Sequence, residues 1–498
     1  MNTSQTISSE AAVVAVDQGT SSTKALAIAP SGVVLASAQV KIGQHHPRPG
    51  WVEQSAQELL DSTLKALTEV LDQLSCPVAA IGLSTQRESA IAWDRATGKA
   101  LGPVLGWQDR RTAGRAAELR GAGADPAIRA KTGLPLDPMF SALKFEWLLD
   151  EIDPDRSRSA AGEIALGTVD SYLVHQLSGE HRIEAGNASR TQLLDIDQLR
   201  WAPQLLDLFG IPEAALPEIV ASDSLITIKG GLGKLSGITI GAVLGDSHAA
   251  LYGHGVRVPG AVKATYGTGS SIMGLAGTQP LSDCGLARTI AWQTGDDPSY
   301  AFEGNILSAG ATLVWASELL GISTDQLIDQ AFEASFATGI NLVPAFAGLA
   351  APWWSQSAQA ALTGFTLGSS QPEFARAAVD SLVLQVEDVV GAAVQAGVEV
   401  TSLLADGGPS ANDRLMQLQA DLSGRPVRRS AIAELSAYGA ATLAAQTVGI
   451  ELAPEREPAA SDDFSPSLDP ELAAARRADW RGALARVLAD IPTSNSTD

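Results

Sequence analysis

Short apolar runs and small-residue loops alternate along the first third of the chain. Val13-Val14-Ala15-Val16 ends at Asp17, a Gln/Gly/Thr/Ser loop follows, and residues 25–29 resume the apolar run. Beyond the turn Pro30-Ser31-Gly32, residues 33–40 alternate apolar and polar. This pattern predicts strand, loop, strand, turn and strand, an antiparallel meander. Residues 55–74 switch to helical spacing, with Leu59, Leu60, Leu64, Leu67, Val70 and Leu71 on one stripe. Strands are predicted at 78–83, 91–93 and 104–107, with residues 108–112 opening a helix. Helices are predicted at 139–148 and 167–177, and residues 187–191 read as a loop.

The middle of the chain repeats the opening. Residues 238–245 are an apolar strand ending at Asp246, and a small-residue helix is predicted at 247–251. A glycine-punctuated crossing (Gly253, Gly255, Pro259, Gly260) leads to a second strand and the loop Tyr266-Gly267-Thr268-Gly269-Ser270. That loop echoes Asp17-Gln18-Gly19-Thr20-Ser21, and each joins two apolar strands at the start of one half of the chain. Two similar lobes with facing phosphate loops, a cleft between them and Asp246 on the crossing segment are the expected architecture. Downstream, a strand at 301–308 runs into helix 312–320, and a long helix fills 372–396. Strand 400–404 ends at Asp406-Gly407-Gly408-Pro409-Ser410-Ala411-Asn412, followed by helix 413–423. Residues 451–466 are acidic and proline-rich, as in a surface loop, a last helix spans 470–488, and residues 493–498 read as frayed.

Composition narrows the function classes. Lys+Arg total 34 against Asp+Glu 56, a net charge of −22, which disfavours nucleic acid and anionic membrane as partners. Any phosphate must then be held by backbone N–H groups, helix N-termini and a metal ion. Hydrophobic content of 45% with 18% charged residues fits a globular protein of two or three domains. Cys76 and Cys284 suit a reducing compartment. Neither a signal peptide nor a membrane span is expected, so the location reads as cytoplasmic.

Candidate chemistry sits at the strand ends. The first loop lacks the P-loop pattern, but Gly, Thr and Ser between two strands present several donors to one phosphate. Arg87 only donates and Glu88 only accepts, a pair suited to a ligand rich in hydroxyls, with Trp107 as a flat wall for its carbons. The close glycines at 407 and 408 allow a flat ring to approach the backbone. The six histidines show no metal-ligand spacing. His248 and His254 read as helix residues flanking the site.

The residues carrying these features resemble the FGGY family of carbohydrate kinases over nearly the whole length, and within it the glycerol kinase branch. The carriers are VAVDQGTSSTKA, STQRESAIAW, GWQDRRTA, MFSALKFEWL, GNASRT, LGDSHAAL, TYGTGS, LVPAFAGLAAPWW and DGGPSAN. The resemblance implies an α/β chain of two ribonuclease H-like domains of the actin/hexokinase type, taken as residues 1–254 and 255–498, with a cleft between them. It implies ATP, Mg²⁺ and a small polyol or sugar as ligands, and a homodimer or homotetramer as the assembly. Asp246 corresponds to the general base and Asp17 to the metal-binding carboxylate. Thr20, Ser21, Ser22 and Lys24, with Thr268, Gly310, Gly408 and Asn412, correspond to nucleotide-binding positions. Arg87, Glu88, Trp107, Met139, Asp246, Ser247 and Ser271 correspond to the polyol site.

Three of those positions depart from the glycerol pattern. Met139 stands for a tyrosine, Ser247 for a glutamine and Ser271 for a phenylalanine. At the nucleotide, Lys24 replaces an arginine and Val314 a glutamine. The loop at 229–234 lacks the arginine of the bacterial fructose-bisphosphate site, which speaks against that allostery. Glycerol is the first substrate candidate, and a four- or five-carbon polyol or ketose of the xylulose or ribulose type the second. A non-catalytic actin-like nucleotide-binding protein has no need of Asp246, Arg87 and Glu88 together. A metal-dependent hydrolase has no ligand motif to rest on.

Overall fold

The computed structural model describes residues 11–489 apart from 280, 282, 283, 337 and 455–458. The expectations for the opening residues and for 493–498 lie outside that range. The chain forms two compact units: Met1–Arg257 with Arg288–Ala301 and Glu434–Glu457, and Val258–Ala287 with Phe302–Ala433 and Pro458–Asp498.

The first unit is built on a six-stranded sheet. Ala12–Gln18, Ser22–Ile28 and Val34–Lys41 form the expected antiparallel meander. Val78–Thr85 pairs parallel to Ala12–Gln18, and Thr239–Gly245 parallel to Val78–Thr85. Ala12–Gln18 reads as a continuous apolar run because both of its faces are buried. Val14 and Val16 join the cluster around helix Ala56–Gln73, while Val13 and Ala15, pointing the other way, are equally enclosed. The stripe of Ala56–Gln73 is rotated from the all-leucine prediction, since Ser62 and Thr63 are buried and Leu60 and Leu64 only half-buried. A hydrogen bond of 2.8 Å between Thr23 and Ser62 hydroxyls compensates their burial.

Helix Leu435–Thr447 comes from far down the chain, yet packs against this first sheet. Its inward face is Gly439, Ala440, Ala441, Ala444 and Ala445, all buried. Small residues let backbones meet: a Cβ on Gly82 would lie 2.3 Å from Ala440 O, and one on Gly439 only 1.8 Å from Ala249 O. A helix this uniformly small carries little amphipathic signal, so periodicity does not find it.

The second unit repeats the strand order. Asp297–Ile306, which belongs to this unit from Phe302 on, Ser270–Leu275, Gly260–Tyr266, Val400–Asp406 and Val427–Arg429 are neighbours in that sequence. Gly260–Tyr266 is antiparallel to Ser270–Leu275 and parallel to Val400–Asp406, which is parallel to Val427–Arg429. The same logic orders the first unit, with a central strand turned back on itself on one side and flanked by parallel strands on the other. The sequence echo between the loops after Asp17 and Tyr266 is therefore a topological equivalence. Helix Gln371–Gln395 supplies much of the second core.

Several local expectations shift. Residues 187–191 are not all loop: Ala185–Ser189 is helical, because the Glu184 carboxylate caps the N–H groups of Gly186 and Asn187 at 2.8 Å each. The strand at 104–107 stops at Leu105 and the following helix opens only at Ala113. The strand at 301–308 is Asp297–Ile306. Replacing Gly439 by Ala is expected to cost about 1–3 kcal/mol or more by overpacking against Ala249. Denaturant melting checks this; an unchanged midpoint would contradict the close packing.

Candidate active site

The first unit's site follows from strand register. Asp17 is level with Ser84, and Gly245 with Thr85. Three neighbouring parallel strands thus end together, and their carboxyl ends hold Asp17, the segment 86–89 and Asp246. Carboxyl ends of parallel strands are where open α/β sheets place ligands. Ser84 Oγ donates to Asp17 Oδ1 at 2.7 Å. Lys24, the cross-strand partner of Asp17, donates to both carboxylate oxygens of Glu434 at 2.8 Å. Burial, then the charge of Asp246, raises the Asp17 carboxyl from its ordinary 3.8 to about 7.

Asp246 opens helix Asp246–Gly253 and keeps a partly exposed carboxylate, 37% accessible. Arg87 Nε donates to its Oδ1 at 3.1 Å. Arg87 lies flat against Gly245, where a Cβ would come within 2.5 Å of Arg87 Cδ. His248 is buried on the same helix with Nε2 3.4 Å from Arg87 Nη1. Ser247 is half-buried beside Asp246.

Glu88 has φ 60, and Ser89 N donates to Arg87 O at 2.7 Å, closing a γ-turn of the rare positive-φ kind around it. Such a backbone costs about 1–3 kcal/mol and persists only where its surroundings hold it. Here Arg190 Nε donates to Glu88 Oε1 at 2.6 Å, while Ser141 Oγ and Lys144 Nζ donate to Glu88 O at 3.0 and 2.9 Å. Trp107 is half-buried, with Nε1 donating to Thr20 Oγ1 at 3.1 Å. The indole is thereby tied to the first loop. Met139 is nearly enclosed, its N donating to Asp137 Oδ1 at 2.9 Å.

The first loop, with Thr20 and Ser22 half-buried and Ser21 exposed, turns its carbonyls inward. Gly19 O, Thr20 O, Ser21 O and Ser22 O accept from Gln18 Nε2, Gln54 Nε2, Ile42 N and Gly19 N. The second unit treats its loop alike. Thr268 O accepts from Ala309 N and Ala311 N at 3.0 Å each, and Gly267 O from Gly310 N at 2.9 Å. Thr268 is exposed at that tip, and Gly310 opens helix Gly310–Leu320 directly behind it. Gly407 has φ 90 and a Cβ there would lie 2.0 Å from Tyr266 O, so only glycine brings Gly408 against the same loop. Asn412 caps helix Asp413–Ser423 through Leu415 N. Thr268, Gly310 and Gly408 are thus drawn together by backbone contacts. Ser271, half-buried on the next strand, donates to the buried Glu303 carboxylate at 3.1 Å.

Residues 12–253 match the N-terminal domain model of the FGGY family of carbohydrate kinases, and residues 262–448 match its C-terminal domain model. The chain belongs to that family. A glycerol kinase of Alkalilimnicola ehrlichii is 43% identical over 484 residues, covering 95% of this chain and 98% of the relative. One from Aromatoleum aromaticum is 41% identical over 490 residues, covering 95% and 98%. Among solved structures, Plasmodium falciparum glycerol kinase with ADP superposes with a TM-score of 0.90 at 28% identity, over 96% and 98% of the two chains. A Lactobacillus acidophilus gluconate kinase shares the fold at TM-score 0.88 and 21% identity, over 96% and 99%. As an FGGY carbohydrate kinase the chain uses ATP. No helix among the described residues is long and apolar enough to cross a membrane.

Sequence reading missed Lys144, Arg190 and Glu434 as members of the site. Lys144 lies in an apolar helix that reads as core, and Arg190 in a segment that reads as a loop; both fall within motifs that carry the family resemblance, yet nothing local marks either side chain. Glu434 lies far along the chain from Lys24, and no local pattern links them.

The Asp17 carboxyl holds its proton more tightly folded than unfolded. Its contribution therefore favours folding below about pH 4 and is withdrawn as pH rises through 7. Asp17→Asn is expected to stabilise the unliganded protein more at pH 8 than at pH 5.5, by about 1–2 kcal/mol. Melting at the two pH values checks this, and equal gains would contradict the raised Asp17 carboxyl.

Proposed function

We propose that this FGGY kinase transfers the γ-phosphoryl group of ATP to a terminal hydroxyl of a small polyol, with glycerol the first candidate. The observation that carries the reading is the partly exposed Asp246 carboxylate held at 3.1 Å by Arg87, beside Asp17 at the ends of three aligned strands. Phosphoryl transfer asks for positioning and charge neutralisation rather than covalent help. Asp246 takes the proton of the attacking hydroxyl, and Arg87 holds that carboxylate in place. Glu88 accepts from the polyol's hydroxyls and Trp107 backs its carbon chain. Lys24 and the hydroxyls of Thr20, Ser21 and Ser22 meet the phosphates from residues 1–254. Thr268, Gly310, Gly408 and Asn412 serve the nucleotide from residues 255–498.

The donor set fits a hard divalent cation such as Mg²⁺. Burial and the neighbouring Asp246 charge both disfavour the ionised form of Asp17, and a bound cation relieves both. Asp17 would hold the ion; when bound it neutralises phosphate charge. The reading places the protein in the cytoplasm as a homodimer or homotetramer, with neither nucleic acid nor membrane as partner.

A second acceptor class rests on one contact. Ser271 Oγ donates to Glu303 Oε1 at 3.1 Å, a polar pair where the glycerol kinase pattern puts an aromatic ring. With Ser247 also short, a four- or five-carbon polyol or ketose gains both room and hydroxyl partners. A coupled ADP-release assay across glycerol, erythritol, ribitol, xylitol, xylulose and ribulose tests the reading. Turnover with at least one is expected, and ATP binding without turnover on any would favour a non-catalytic protein. The double change Met139→Tyr with Ser271→Phe is expected to move preference toward glycerol by about tenfold in kcat/KM. An unchanged ranking would remove both positions from specificity.

A further inference from the structure

Lys144 is fully buried in the first turns of helix Ser141–Ile152, inside the first unit. Its ammonium makes two hydrogen bonds, to Glu88 O at 2.9 Å and to Met139 O at 2.6 Å. Both acceptors belong to residues assigned to the polyol site. Ser141, one turn back on the same helix face, adds a donor to Glu88 O at 3.0 Å. A buried charge bonded only to neutral carbonyls is an expensive way to fill space, and an apolar side chain of that length fills it more cheaply. The charged groups around it are Glu88, Asp109 and Asp137, opposed by Arg110. Burial outweighs them and brings the amine down to about 7. Both protonation states keep at least two N–H groups, so both carbonyls stay bonded through that titration.

Glu88 explains the arrangement. Its left-handed backbone is the local strain point, and its carboxylate direction depends on that backbone as well as on Arg190. We propose that Lys144 is a positioning residue for the acceptor alcohol, its buried amine clamping the Glu88 γ-turn and the Met139 carbonyl together so that the Glu88 carboxylate meets the polyol's hydroxyls in one fixed direction. The inference rests on Glu88 contacting the polyol, and it adds a residue that touches no substrate. Lys144 acts on acceptor binding and geometry, and leaves the nucleotide side alone.

The test is Lys144→Met, which keeps length and volume while deleting both hydrogen bonds. Amide hydrogen exchange in residues 87–90 is expected to quicken by about tenfold or more, the loss of hydrogen bonds to a charged donor. The polyol KM rises by about tenfold, while the ATP KM stays within about twofold. Introduced on top of Glu88→Gln, the same change adds little, because the two act as one unit. Ser141→Ala, which removes only the second donor on the carbonyl, gives a smaller change of the same kind. It also serves if Lys144→Met does not fold. Unchanged exchange at 87–90, or KM values for both substrates moving together, overturns the proposal. Should the wild type release no ADP with any polyol, the proposed function fails, while exchange at 87–90 still decides whether Lys144 holds the turn.

Discussion

The register of three parallel strands is the constraint on which the rest of the first unit depends. Ala12–Gln18, Val78–Thr85 and Thr239–Gly245 are level at their carboxyl ends, and that alone brings Asp17, Arg87 and Asp246 to one edge from positions far apart in the chain. A slip of one residue would turn each side chain to the opposite face. The register is protected on both faces. The cluster around Ala56–Gln73 fixes one side, and the backbone of Leu435–Thr447 presses on Gly82 from its own side. Glycine recurs where close approach is needed: Gly245 lets Arg87 lie beside Asp246, and Gly407 lets its loop meet Tyr266.

Around that edge the molecule accepts unfavourable electrostatics. Asp17 is pushed toward protonation by burial and by Asp246, Lys144 toward deprotonation by burial, and Glu88 occupies a strained backbone. None of these helps the unliganded protein to fold. Strained and charge-crowded groups collected at one place mark a preorganised site, whose gain appears when ligand arrives. The pair Arg87–Asp246 is different in kind. Its carboxylate remains partly open to solvent, so the ion pair sets direction without burying that group.

Much of this was legible in the sequence, and the failures have physical causes. The meander after Asp17 and the equivalent loop after Tyr266 were readable because glycine, threonine and serine punctuate clean apolar runs. Asp246 was readable as an acid closing such a run, and Asp413–Ser423 appears with the bounds read from its pattern. Helix Leu435–Thr447 was not found, because close backbone packing selects glycine and alanine and erases the amphipathic stripe. Residues 187–191 read as a loop because the stability of helix Ala185–Ser189 comes from one capping carboxylate rather than from periodicity. Lys144 was hidden for the opposite reason. A helix rich in buried aromatic and aliphatic residues draws attention to its apolar face, and only the folded chain shows what its single buried amine holds.

The proposed phosphoryl transfer requires Asp246 to take the acceptor's proton. Single-turnover phosphoryl transfer by Asp246→Asn, at saturating ATP and acceptor, measures that step directly. The rate is expected to fall by at least about 100-fold while ATP still binds as in the wild type. A single-turnover rate near that of the wild type would contradict it.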